Sequence, residues 1–72
     1  MARGVIKRLV GGRGFGFIQA EGGTEDLFFH SSSVEGIPFD SMSEGQAVEF
    51  EEEPDPRDPR RQRAVHVRPA ES

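Results

Sequence analysis

Three phenylalanines and one histidine are spaced so that their flat side chains could share one surface. Phe15 and Phe17 are two residues apart, and Phe28 and His30 repeat that spacing further along the chain. Successive side chains of a β-strand point to opposite faces, so each pair would lie on one face of its strand. An exposed aromatic ring can stack on the π-face of any nucleobase. If the two strands are neighbours, the chemistry that these residues offer is base stacking.

Basic residues flank these rings in the sequence. The formal net charge of −4 argues against a polyanionic partner, but the charges are unevenly distributed. Residues 1–18 carry four cations and no acid, residues 19–53 carry ten acids and no Lys or Arg, and residues 54–72 carry five arginines and three acids. If the two ends of the chain meet in a closed fold, one side becomes basic. Lys7 and Arg13 would then lie beside the rings as phosphate contacts.

The elements that must position these residues are short β-strands. Alternating or β-branched runs, bounded by glycine and proline, predict strands over residues 4–10, 15–20, 26–30, 46–53 and 63–68. Residues 21–24 are typical of a hairpin turn, and residues 31–45 of a long connection with one helical turn at residues 31–33. The proline-rich residues 54–59 are predicted not to form a central strand, because proline lacks the ladder donor. Five strands without an amphipathic helix indicate a small barrel.

Ordinary core packing is the alternative for the three phenylalanines, since phenylalanine is usually buried. The opposite strand faces already hold enough apolar volume for a barrel of this size, from Ile18, Leu27, Phe29, Val48, Phe50, Val65 and Val67. Three more core rings would make the strands apolar on both faces. Counting faces therefore favours an exposed position for the three rings.

Length and composition exclude several classes of protein. A chain of 72 residues allows one domain, predicted over residues 1–72, and its core is thin. The absence of cysteine excludes disulfides, thiol catalysis and thiolate metal sites. No apolar run is long enough for a signal-peptide core or for a membrane span of roughly 20 residues. We therefore expect a cytoplasmic protein without membrane contact.

Two short patterns superficially suggest a bound cofactor or metal. Residues 12–16 are glycine-rich like a phosphate-binding loop, but no helix comes after them to offer its N-terminus. Glu51, Glu52 and Glu53 form an acidic run, but no His or Asp is spaced to complete a metal site. The sequence predicts no cofactor, no metal and no catalytic residue.

Two segments resemble the paired RNP motifs of the cold-shock domain family, usually written K-G-F-G-F-I and V-F-V-H-F. They are Arg13-Gly14-Phe15-Gly16-Phe17-Ile18 and Leu27-Phe28-Phe29-His30. Similarities at residues 4–7, 41–48 and 57–59 extend the resemblance over nearly the whole chain. The resemblance implies an all-β, five-stranded antiparallel OB-fold barrel that binds single-stranded RNA and single-stranded DNA. The positions that match nucleic-acid contacts of the family are Lys7, Arg13, Phe15, Phe17, Phe28, His30, Phe39 and Arg57.

Two of the departures from the family's pattern lie at aromatic positions. Arg8 stands where the family usually has Trp, and Ser31 stands where it usually has Phe. A guanidinium plane stacks on bases and adds charge, so Arg8 belongs to the predicted site, whereas Ser31 cannot stack. We expect binding that is weaker than with the usual residues.

The function predicted from the chain is sequence-tolerant, non-enzymatic binding of single strands by a monomer, with RNA chaperoning in the stress response as its consequence. One alternative is an OB- or SH3-like interaction barrel whose phenylalanine face docks a protein and whose acidic middle steers a basic partner. A second alternative is a small nuclease, but this enzyme would need paired carboxylates or a metal. Taken alone, His30 could be structural, Phe39 could fold over the core edge, and residues 57–63 could be a solvated loop or a basic targeting tract.

Overall fold

The computed structural model describes residues 2–23 and 26–70, which form five β-strands. They are β1 (Ala2–Val10), β2 (Phe15–Ala20), β3 (Asp26–His30), β4 (Ala47–Asp55) and β5 (Asp58–Pro69). The predicted bounds of β2 and β3 are confirmed to the residue, and β1 begins two residues earlier than predicted. The predicted turn after β2 includes Glu21 and Gly22, while its last residue, Thr24, lies outside the described residues.

The five strands close into a barrel in the order β1-β2-β3-β5-β4. Four contacts are antiparallel, but β3 and β5 pair in parallel where Phe28 meets Arg63. The all-β barrel of five strands is therefore confirmed, and the expectation that it is purely antiparallel is wrong for one pair. A closed ring with an odd number of strands cannot alternate direction at every contact, so one pair must be parallel.

The barrel interior is apolar and is built from alternate residues of the strands. In β2 and β3 the alternation buries Gly16, Ile18, Leu27 and Phe29 and leaves the intervening residues half-buried or exposed. The buried hydrophobic residues are Ile6, Ile18, Leu27, Phe29, Met42, Val48, Phe50, Ala64 and Val67. Met42 comes from the connection between β3 and β4, which contributes to the core as well as joining the strands.

The end of β5 departs from the predicted alternation. Strict alternation places Val65 and Val67 on one face, but Ala64 and Val67 are buried and Val65 is only half-buried. The register with β4 shifts between Glu49 and Glu51, and His66 has a φ of 52°. An extra residue in one strand reverses the facing of the residues beyond it, so the assignment of Val65 to the core is wrong.

Residues 54–59 do not form a central strand, as predicted, but only residues 56 and 57 lie outside the strands. Pro54 belongs to β4 and pairs with Gln62, and Pro59 belongs to β5. Strand β1 pairs with β4 only as far as Phe50, so the rest of β4 has a free side on which a missing N–H does no harm. We call this two-stranded extension, residues 54–62, the arm.

Short helical turns interrupt the connection between β3 and β4. The predicted turn at Ser31–Ser33 is confirmed as a 3₁₀ turn, and a second one covers Phe39–Ser41. In the described part of the chain, no helix is long and apolar enough to cross a membrane.

The two basic ends of the chain share one side only in part, since Lys7 and Arg8 of β1 and Arg61 of β5 line the same cleft. The acidic strand β4 lies between β1 and β5 in the ring, so it separates them. Arg3 lies 3.9 Å from Glu49 on one side of β4, and Arg63 pairs with Glu53 on the other. The charges of Arg3 and Arg63 are thus balanced by carboxylates of β4.

Candidate nucleic-acid interface

Phe15, Phe17 and Phe28 form a cluster of three half-buried rings on the outer face of β2 and β3, which we call the ring triad. The ring centroids of Phe15 and Phe28 are 5.4 Å apart, those of Phe15 and Phe17 are 5.8 Å apart, and those of Phe17 and Phe28 are 6.1 Å apart. These separations lie within the range of favourable aromatic pairs, so the rings support one another and still present surface to solvent.

Strand register brings the triad together. Phe17 lies directly across from Phe28, and Phe15 lies directly across from His30. Behind the triad, an ideal Cβ at Gly16 would lie 2.8 Å from the Phe29 ring and 2.8 Å from the Arg8 carbonyl oxygen. The glycine between the two rings of β2 is therefore required by the core beneath it.

His30 ends β3 beside Phe15 and caps the 3₁₀ turn that begins at the next residue. Its Nδ1 accepts a hydrogen bond from the backbone N–H of Ser32 at 3.1 Å. The Ser32 hydroxyl lies 2.9 Å from the same nitrogen. Because Nδ1 acts as an acceptor, the neutral ring carries its proton on Nε2. His30 is exposed, so this Nε2–H can serve as a hydrogen-bond donor at the edge of the triad.

Arg57 reaches the triad from the tip of the arm. Its guanidinium carbon lies 4.8 Å from the centroid of the Phe28 ring, which is a cation–π contact. Asp55 holds the tip in place, since its Oδ1 accepts a hydrogen bond from the Arg57 backbone N–H at 2.8 Å. This hydrogen bond lowers the pKa of Asp55, so the carboxylate stays ionised beside the guanidinium.

The three cations predicted from the N-terminal part of the chain differ in how far their charge is balanced. Lys7 Nζ is 3.8 Å from Asp26 Oδ1, so its charge is partly balanced. Arg8 lies opposite Phe17 across β1 and β2, and Arg13 lies in the exposed turn before β2. Within the described residues, neither arginine has an ion pair. Their positive charge is therefore available at the border of the triad.

Phe39 is not part of the triad. Its ring centroid is 6.0 Å from that of the buried Phe29, and the residue packs against the core from the connection between β3 and β4. The sequence left open that Phe39 folds over the edge of the core, and the inner side of its ring does pack there. Phe39 remains half-buried, so part of its surface faces solvent.

Sequence reasoning missed Arg61 and Gln62 of the arm. Together with Phe17, Phe28 and Arg57 they line a cavity of about 140 Å³ beside the triad. They were missed because the prolines predict a loop at residues 54–59 and a start of β5 only at Arg63. An acidic run and a basic run flank the turn at the tip of the arm and pair across it. This charge pattern was the signal in the sequence for two paired strands.

The described residues contain no group of three or more His, Asp or Glu side chains that could hold a metal ion. A family profile described as the 'Cold-shock' DNA-binding domain matches residues 2–70. The chain belongs to the cold-shock domain family. Members of this family bind nucleic acids and are not enzymes.

Individual proteins are similar to the chain over most of its length. It is 49% identical over 51 residues to the cold shock-like protein CspLB of Listeria monocytogenes, covering 71% of this chain and 76% of the relative. It is 45% identical over 51 residues to the cold shock protein CspB of Geobacillus stearothermophilus, covering 71% and 76%. It is 46% identical over 52 residues to glycine-rich protein 2 of Nicotiana sylvestris, covering 72% of this chain and 24% of that protein.

Membership of the cold-shock domain family supports nucleic-acid binding over the protein-docking alternative. The family binds nucleic acid, and this favours bases rather than a protein partner on the aromatic face. A cold-shock domain has the OB-fold, in agreement with the closed five-stranded ring.

Proposed function

We propose that the ring triad binds single-stranded RNA and single-stranded DNA by stacking successive bases on Phe15, Phe17 and Phe28. The observation that carries this proposal is three half-buried rings 5.4 to 6.1 Å apart on one sheet face, bordered by cations. Stacking accepts every base, since each has a π-face, so binding is sequence-tolerant. A duplex hides its base faces and binds less tightly.

The remaining predicted contacts border this surface. His30 donates from Nε2, Arg57 stacks or pairs with phosphate at the Phe28 side, and Lys7, Arg8 and Arg13 contact the backbone. Phe39 contacts a base with its solvent-facing side at the rim of the site. Arg57 already covers one side of Phe28, so a base stacks there after the guanidinium moves aside or on the part of the ring it leaves open.

A binder of this kind acts as a passive RNA chaperone. It binds the open strand and not the hairpin, so it shifts the equilibrium toward the open form without any nucleotide hydrolysis. When free protein is 100 times the Kd, one bound site shifts that equilibrium by about 2.7 kcal/mol. We further propose that the protein works in the cytoplasm as a monomer, without a cofactor and without catalysis.

The direct test is titration with a heptathymidine, a heptaadenosine and a duplex of matched length. Trp and Tyr are absent from the sequence, so amide shifts in heteronuclear NMR report binding better than fluorescence does. Both single strands are expected to bind, and the duplex is expected to bind much more weakly. Equal affinity for duplex and single strands would contradict base stacking, because paired bases do not expose their faces.

A hairpin RNA with a fluorophore and a quencher at its ends tests the chaperone step. Its melting temperature should fall as protein is added, and the decrease should track the affinity measured for the open strand. A hairpin that melts unchanged at saturating protein would show that binding does not discriminate the open form.

A further inference from the structure

Arg61 of the arm is an exposed cation that the stacking proposal leaves without a role. It lines two clefts that both also include Phe17. The larger cleft has a volume of about 790 Å³ and is also lined by Lys7 and Arg8 of β1. The smaller, of about 140 Å³, also contains Phe28. Arg61 therefore lies beside the one ring of the triad that both clefts share.

The larger cleft lies between β1 and the arm and carries more positive than negative charge. Lys7, Arg8 and Arg61 line it together with Asp26 and Glu44. Lys7 is 3.8 Å from Asp26, and Glu44 Oε2 accepts a hydrogen bond from the Leu9 backbone N–H at 3.1 Å. The formal charge of this cleft is +1, and without Arg61 it would be zero.

The other arginines of the arm are already engaged. Arg57 lies over Phe28 and 3.6 Å from Asp55, and Arg60 Nε lies 3.3 Å from Asp58 Oδ1. Among the described residues, Arg61 has no ion pair and no hydrogen bond of its side chain. A guanidinium presents a planar fork of donors that fits two oxygens of a phosphate. Arg61 is thus the member of the arm whose donors are uncommitted.

We propose that Arg61 binds the backbone phosphate next to the nucleotide whose base stacks on Phe17. Arg8 and Arg61 then hold the strand from opposite walls of the larger cleft, one on β1 and one on the arm. This inference rests on the proposed function, because a base on Phe17 is what brings the phosphate into the cleft. It makes the arm a second wall of the binding site and not a solvated loop.

The test compares Arg61→Gln with Arg60→Gln, which removes the same charge from the neighbouring residue. Heptathymidine affinity is measured at several salt concentrations. Loss of one phosphate contact should reduce the log–log salt slope by about 0.7. If that contribution vanishes at 1 M salt, Arg61→Gln binds about 8-fold more weakly at 0.05 M and about 3-fold more weakly at 0.2 M. Arg60→Gln should change affinity by less than about two-fold, because its guanidinium is paired with Asp58.

Two further variants make the result unambiguous. Arg61→Lys keeps the charge and should keep most of the salt slope, while losing the bidentate geometry. Phe15→Leu tests the proposed function separately, since Phe15 lines neither cleft. If Phe15→Leu weakens binding but Arg61→Gln behaves like Arg60→Gln, only the inference about Arg61 is wrong. If Phe15→Leu binds as tightly as the parent protein, the proposed function itself is wrong.

Discussion

Replacing Phe28 tests how much of the affinity comes from stacking. Phe28 contacts both other rings of the triad and lies under the Arg57 guanidinium. Phe28→Leu keeps an apolar side chain of similar size but removes the π-face. Phe28→Ala removes the apolar volume as well. Comparison of the two variants therefore separates stacking from burial.

The expected losses can be worked out from the contacts. Stacking contributes about 1–3 kcal/mol per base, so Phe28→Leu should weaken single-strand binding by about 5- to 150-fold. The ring also makes two aromatic pairs of about 0.5–1.5 kcal/mol each and one exposed cation–π contact of about 0.5–1 kcal/mol. A small domain is marginally stable, so Phe28→Ala is expected to lower the melting temperature clearly.

The assay is isothermal titration of heptathymidine, with affinity calculated per folded molecule from a thermal melt of each variant. Val5→Ala is the matched control, because Val5 is an exposed apolar residue of β1, 42% exposed, outside the triad. It should leave affinity unchanged within about two-fold, since it removes no stacking surface. If folded Phe28→Leu binds as tightly as the parent protein, Phe28 does not stack on a base.

Four further results are expected. Gly16→Ala should destabilise the fold by about 1–3 kcal/mol, because its Cβ would overlap the core ring beneath it, whereas Gly12→Ala in open space should not; equal denaturation midpoints would contradict this. The pKa of His66 is raised, first by its hydrogen bond to Glu35 and then by that carboxylate's charge. The contribution of this pair to the free energy of unfolding is therefore present below pH 6.5 and is lost as pH rises through the raised pKa of His66. Glu35→Gln should flatten that decline in denaturation experiments across the same pH range, and an unaltered pH profile would argue against the pair. The salt slope of the parent protein should lie between about −1.4 and −3.5, for two to five phosphate contacts including Arg61, and a slope steeper than about −5 would show that charge and not stacking dominates. Ser31→Phe, at the Phe15 end of the triad beside Gly14, should tighten heptathymidine binding by up to about 3 kcal/mol, and no gain at any salt would place residue 31 outside the base path.

The strands that carry the triad could be predicted from the sequence because their signal is local. Buried residues alternate with half-buried or exposed ones through β3 and through β2 as far as Ile18, and glycine-containing segments lie before and after β2. The position of Phe15, Phe17 and Phe28 outside the core could be inferred by counting how many apolar residues a small barrel can bury, although the rings are half-buried and not fully exposed. The local pattern does not show which strands pair. The short connection between these two strands in the sequence indicates that they are neighbours.

The errors concern features that depend on neighbours in the ring. An alternating run predicts Val65 in the core because it contains no sign of the bulge at His66. Prolines predict a loop at the arm because they exclude a central strand, although they are compatible with an unpaired strand edge. The position of β4 between β1 and β5 depends on topology, and so do the ion pairs that Arg3 and Arg63 make with it. Arg61 was missed for the same reason, since its place beside Phe17 depends on the arm folding back.

The most direct test of base stacking is to monitor the phenylalanine ring resonances by NMR during titration with heptathymidine. Stacked bases shift the protons of the rings they cover, so the resonances of Phe15, Phe17 and Phe28 should move together and saturate at one Kd. Those of Phe29 and Phe50, which are 1% and 0% exposed in the core, should move little. Shifts confined to arginines of the arm and β1, with the triad resonances unchanged at saturation, would show that the strand binds by its phosphates and that the rings do not stack.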